Sequence, residues 1–138
     1  MKKIVLFIVL ILITGCTEGK KVNEIMNDKK INEIIIDGKK YDVTLENNDT
    51  VDELKKLFPL KIKMNDLNNN EKYAYLDESL PTKEYFPKKI KKGDVMLYGD
   101  TCIVIFYKNF ETEYDYTKIG HINNLEDLNE KSIKVEIK

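Results

Sequence analysis

The spacing of apolar and polar positions changes repeatedly along the chain, and each change predicts an element. Runs at 31–37 and 40–45 flank Asp37-Gly38. An Asp-Gly pair between apolar runs signals a tight hairpin, because both turn residues take positive φ. Tyr41, Val43 and Leu45 alternate with Lys40, Asp42 and Thr44, so the second run is a strand with one inward and one outward face. From Asp49 the period becomes helical, with Val51, Leu54, Leu57 and Phe58 on one stripe. Thr50 and Glu53 are placed as a capping box at its start, and Pro59 stops it.

Leu60, Ile62 and Met64 alternate with Lys61 and Lys63; the turn-rich stretch 65–70 then reverses the chain into a strand at 71–76, a second hairpin. Residues 77–92, with Pro81 and Pro87, read as a long loop of the kind that carries function. Gly93-Asp94 leads into a strand at 95–98, Gly99-Asp100 turns it, and the continuous apolar run 102–107 reads as a central strand. After the acidic, aromatic stretch 110–116 come a strand at 117–122, a short helix at 124–129 and a closing strand marked by Ile133, Val135 and Ile137. About seven or eight short strands with one or two short helices predict a mainly β fold, a closed barrel with helical plugs.

The amino terminus follows a different rule. Met1-Lys2-Lys3 precedes an apolar run of ten residues, 4–13, and then Thr14-Gly15-Cys16. The run is about half of the ~20 residues that a membrane-crossing helix needs, which points to a signal peptide rather than a span. Ile13-Thr14-Gly15-Cys16 is similar to a bacterial lipobox. That resemblance implies a diacylglycerol thioether on Cys16, cleavage after Gly15 and fatty acylation, palmitate included, at the new amino end. An ordinary secretory signal and an uncleaved anchor are the alternatives. The expected organisation is a signal peptide over 1–15, a lipidated cysteine and polar tether over 16–30, and a barrel over 31–138. The domain is then extracytoplasmic, with the membrane as a partner through its lipid anchor.

Composition narrows the function. With 42% hydrophobic and 34% charged residues in 138, the chain is one folded domain, neither a disordered tract nor a multidomain enzyme. All 23 basic residues are lysine; arginine, glutamine and tryptophan are absent. Cleavage would leave 21 lysines against 24 acidic residues, a formal charge of −3, which argues against a nucleic-acid partner. With Cys16 consumed by the thioether, Cys102 has no partner for a disulfide and reads as a small buried hydrophobe. His121 is the only histidine, so the sequence offers no zinc-like ligand spacing; no metal and no cofactor are expected. No nucleophile beside a base and no phosphate-cradling glycine loop is visible.

Ile-Asp-Gly at the first hairpin, Leu57-Phe58-Pro59-Leu60 after a short helix, Glu71-Lys72, Lys92-Gly93-Asp94, Ile105-Phe106-Tyr107 and Tyr116-Thr117-Lys118-Ile119-Gly120-His121-Ile122 follow in order. This pattern resembles the small bacterial cyclophilin-like domains over roughly residues 31–137. The resemblance implies a closed barrel like that of the cyclophilin prolyl isomerases. Those enzymes use an arginine, a glutamine and a phenylalanine-rich pocket, and this chain has neither arginine nor glutamine. The reading is therefore a binding module rather than an enzyme. It holds a peptide or small ligand in an aromatic groove near Tyr73, Phe86, Tyr98, Tyr107 and His121, with prolyl isomerisation of exported proteins as the alternative and a purely structural lipoprotein as a third reading. The many tyrosines suit such a groove, and they equally suit half-buried strands. Gly38, Gly93 and Gly120 read as backbone necessities and Asp94 as a turn cap. The lysines at 88–92 belong to a solvated loop or touch anionic headgroups. The sequence sets no oligomeric state.

Overall fold

The structure is a computed structural model whose described residues are 31–138. The expected signal peptide, the lipid attachment at Cys16 and the tether lie outside the described residues. Ten strands and one helix follow one another: β1 (Ile31–Ile36), β2 (Lys39–Leu45), α1 (Asp49–Lys55), β3 (Leu60–Leu67), β4 (Glu71–Tyr75), β5 (Lys89–Ile90), β6 (Asp94–Tyr98), β7 (Cys102–Phe106), β8 (Phe110–Glu111), β9 (Thr117–Ile122) and β10 (Ser132–Ile137). Eight of them close an antiparallel barrel in the order β1-β10-β3-β4-β7-β6-β9-β2, while β5 and β8 pair separately. Among the described residues, no helix is long and apolar enough to cross a membrane.

The first hairpin forms where Asp37 (φ 47°) and Gly38 (φ 84°) supply the two positive angles of its turn, with Ile36 opposite Lys39. The Asp37 carboxylate also accepts the Lys134 amide at 2.8 Å, which ties this turn to β10. Alternation then decides the interior. Ile34 and Ile36, Tyr41 and Val43, Met64, Ile103 and Ile105, and Val135 and Ile137 are buried together inside the barrel.

Four expectations need correcting. The helix is capped by Asn48, whose side-chain oxygen accepts the Val51 amide at 2.9 Å, and not by a Thr50 to Glu53 box. Thr50 is buried, and its hydroxyl donates to the Pro81 carbonyl at 2.6 Å. The turn after β3 is tighter than 65–70: the strand runs on to Leu67, and Asn68 and Asn69 take positive φ.

Residues 124–129 are not helical. Asn124 stands at φ 54°, and Leu125 and Leu128 are both buried in the barrel's core cluster as a strap. The Leu128 carbonyl accepts the Lys72 ammonium, so a tertiary contact takes the place of a helical bond. Finally, a closed barrel has no central strand. β7 is buried along its whole length because its outer face lies under a second apolar cluster formed by Ile90, Met96, Cys102, Val104, Phe106 and Tyr116.

Candidate functional site

The outer wall of β4 and β7 builds a tyrosine-lined hollow. On β4, Lys72 and Ala74 face the barrel interior, so Glu71, Tyr73 and Tyr75 face out by the two-residue period. β7 sends Cys102 and Val104 outward beneath them, and the pairing of Tyr73 with Val104 and Tyr75 with Cys102 fixes the register. Tyr98 at the end of β6, with Tyr114 and Tyr116 from the segment before β9, forms the opposite side. The half-open hollow measures about 390 Å³, a size that accommodates a side chain or a small molecule.

Edge-to-face contacts and one tilted contact, Tyr98 with Tyr116, hold the rings. Tyr98 lies 5.9 Å from Tyr114 and 5.7 Å from Tyr116, and Tyr73 lies 6.0 Å from Tyr75, all between ring centres. Cys102 is free and buried, and burial pushes its thiol above the ordinary value. Glu71 is half-buried at the β3 side of the hollow. Burial, followed by repulsion from Asp66, pushes its carboxyl up to about 6.

A second polar group lies inside the barrel, behind that wall. Lys72 is fully buried; its Nζ donates to Asp66 Oδ1 at 2.6 Å and to the Leu128 carbonyl at 2.7 Å, and sits 4.6 Å from the centre of the Tyr107 ring. The Tyr107 hydroxyl donates to the same Asp66 oxygen at 2.6 Å. Burial works to raise the Asp66 carboxyl, yet the hydrogen bonds from Lys72, Tyr107 and Asn69 outweigh it and hold the group below its ordinary value. Every polar partner here is satisfied from within.

A third arrangement surrounds His121. Its Nδ1 is 3.0 Å from Asp94 Oδ1, and the other Asp94 oxygen accepts the Lys91 amide at 2.8 Å. Asp94 thus closes its turn and orients the histidine at once. Gly93, at φ 99°, leaves room for this pair: a Cβ there would meet the Ile122 carbonyl and approach His121 Cε1 at 2.9 Å. Gly120 is required by close packing instead, since its Cβ would collide with the Thr44 carbonyl. The histidine edge opens on a shallow depression shared with Lys89, Lys91 and Phe110. Lys92, on the same rim, is paired with Asp127 at 2.7 Å.

The five residues expected in one groove are therefore distributed. Tyr73 and Tyr98 meet in the tyrosine hollow, His121 opens on a separate depression, Tyr107 points into the barrel, and Phe86 is exposed on the long loop. Sequence reasoning missed Glu71 as a wall residue, although Glu71, Tyr73 and Tyr75 stand at every second position and so share one face. It also missed the Asp66 and Lys72 pair, for which spacing gives no signal. Among the described residues, no three His, Cys, Asp or Glu side chains converge as a metal site requires. The family model described as "cyclophilin-like family" matches residues 34–138. No curated protein matches the chain, and neither does any solved structure.

Proposed function

The chain belongs to the cyclophilin-like family, and from that premise we propose that it is a lipid-anchored, extracytoplasmic binding module that holds a peptide segment or small ligand in its tyrosine hollow. The fold does not bring an activity with it, so the reading rests on the site. The observation that carries it is the hollow of about 390 Å³ with five tyrosines on its walls. Tyrosine offers a rigid apolar body and a polar tip, the combination that small-ligand and peptide sites favour. Anchoring is supported by the lipobox-like Ile13-Thr14-Gly15-Cys16. Binding without turnover is supported by a sequence with no arginine to fix a prolyl substrate by a planar fork.

Two experiments test it. Cys16→Ser in the expressed full-length chain should abolish the lipid mass increment and release the protein from the membrane fraction; retention with unchanged mass would refute anchoring. The isotopically labelled full-length chain in dodecyl maltoside is then titrated with Xaa-Pro peptides. Shifts at Tyr73 and Tyr98 without cis/trans exchange on the peptide are expected. Exchange far faster than the uncatalysed tens to hundreds of seconds would instead make the protein a prolyl isomerase.

A further inference from the structure

We infer that the tyrosine hollow takes an organic cation, an alkylammonium group seated against Glu71 between tyrosine rings. The inference rests on the hollow being the ligand site proposed above. Its first support is a charge asymmetry. Lysine makes up 23 of the 138 residues, yet among the described residues none lines the hollow, whose ten lining residues include one formal charge, Glu71. The nearest lysine in sequence, Lys72, is turned through the wall and held by Asp66.

The second support is that Glu71 is unanswered. Among the described residues neither a hydrogen-bond donor nor a cation relieves its carboxylate; only burial and the Asp66 charge act on it, both against ionisation. A carboxylate kept in that state is worth relieving, and a ligand that brings a positive charge relieves it. The third is the wall itself. Five tyrosines line the hollow with this one acid, and aromatic faces attract ammonium groups, most strongly where water is displaced. An anionic ligand meets repulsion from Glu71, and a neutral one deepens its desolvation. Charge complementarity therefore selects the cation.

The same chemistry has two sources, a lysine side chain on a peptide and a free small amine, and the experiment separates them. The full-length chain in dodecyl maltoside is titrated with acetyl-Gly-Lys-Gly-amide, with the same peptide acetylated on the lysine, and with choline. Tyrosine emission is the readout, since five of the eight tyrosines line the hollow and the chain has no tryptophan.

The lysyl peptide should bind about tenfold tighter than its acetylated form, and Glu71→Gln should bring the two to parity while Glu71→Asp retains part of the preference. Binding of the charged peptide should also weaken as pH falls from about 7 to about 5. Of the titratable groups around Glu71, Asp66, behind the wall on β3, is held below its ordinary value and stays ionised, while Cys102 on β7 and Tyr116 are raised by burial and stay neutral. The phenols of Tyr73, Tyr75, Tyr98 and Tyr114 complete the lining. A lysyl peptide bound more tightly than choline assigns the peptide source, and the reverse assigns the free amine. Equal binding of the charged and acetylated peptides would overturn the cation while leaving the hollow as a ligand site. No response to any probe, Xaa-Pro peptides included, would overturn both.

Discussion

Replacing Lys72 with methionine tests how the barrel end is held. The side chain is 0% exposed and its partner Asp66 20%. Methionine fills most of the same volume, so the substitution removes the ammonium with little cavity. Removing one member of a buried ion pair costs about 3–5 kcal/mol. Asp66 keeps the Tyr107 hydroxyl, the Asn69 amide and some solvent, which places the loss near the low end of that range. The Leu128 carbonyl loses its donor at 2.7 Å, a further penalty of about 1 kcal/mol or more. The expected destabilisation is about 4 kcal/mol, a fall in Tm of about 10–20 °C for a domain of this size.

Thermal unfolding of the full-length chain in nonionic detergent, followed by far-UV circular dichroism, reads the effect. The double variant Asp66→Asn with Lys72→Met exchanges the charged pair for neutral groups and should be about 2 kcal/mol more stable than the two single losses added together. The sign of the pH dependence follows from Asp66. Its folded-state value lies below the ordinary 3.8, so its stabilising contribution is present above that range and is lost as pH falls through the folded value. Wild-type protein should therefore lose stability more steeply than Lys72→Met between about pH 5 and pH 2. A Lys72→Met variant within about 0.5 kcal/mol of wild type, or strict additivity in the double variant, would refute the reasoning.

Gly120→Ala forces a methyl group into the Thr44 carbonyl at the β2–β9 seam, and should cost about 2 kcal/mol or more in urea unfolding. Asn48→Ala removes the cap whose oxygen accepts the Val51 amide at 2.9 Å, together with the bond its Nδ2 donates to the Lys118 carbonyl at 2.9 Å; a loss of about 1–2 kcal/mol is expected by the same assay, with Asn48→Asp intermediate because it restores the cap and not the donor. Glu71→Gln should stabilise the protein at pH 7.5. Moving a carboxyl from 4.5 to about 6 costs at most about 2 kcal/mol when it is ionised, and partial solvent access reduces this to about 1 kcal/mol. A raised folded-state value favours folding once the group is protonated, so the advantage of Glu71→Gln should vanish as pH falls from about 6 to below 4.5; a constant difference across that interval, measured as Tm, would show that charge is not its cause.

Much of the barrel is legible locally. Asp37-Gly38 demands its hairpin, and the two-residue period in 40–45, 60–64 and 133–137 assigns inward and outward faces. The same parity assigns Tyr107: Ile103, Ile105 and Tyr107 share the inward face, so Tyr107 belongs with the core and not with an outer groove. The continuous apolar character of 102–107 hides that parity, because both faces of β7 are covered. What covers the outer face comes from distant segments, β5 and β8 with the Tyr85 to Tyr116 bridge, and local spacing holds no record of it. In 124–129 the i, i+3 spacing of Leu125 and Leu128 satisfies a helix and an extended strap equally well; the Lys72 ammonium on the Leu128 carbonyl decides for the strap. The bulge opposite Val95 and Met96 shifts the parity of β9, so Ile119 and Ile122 are both buried and His121 meets Asp94.

Two carboxylates on the β3–β4 hairpin carry the functional argument between them. Asp66 and Glu71 are five positions apart, on opposite faces of one two-stranded wall, and repel each other through it. Inside, Asp66 receives an ammonium, a phenol and an amide, and its charge stabilises the fold. Outside, Glu71 receives no hydrogen bond or cation from the described residues, and its charge opposes the fold. A lysine facing the hollow would correct this at once in a chain where every basic residue is lysine. The wall instead presents tyrosines. The cation site proposed above accounts for an acid left unpaired at the expense of stability, because relief withheld in the free protein would become affinity in the complex.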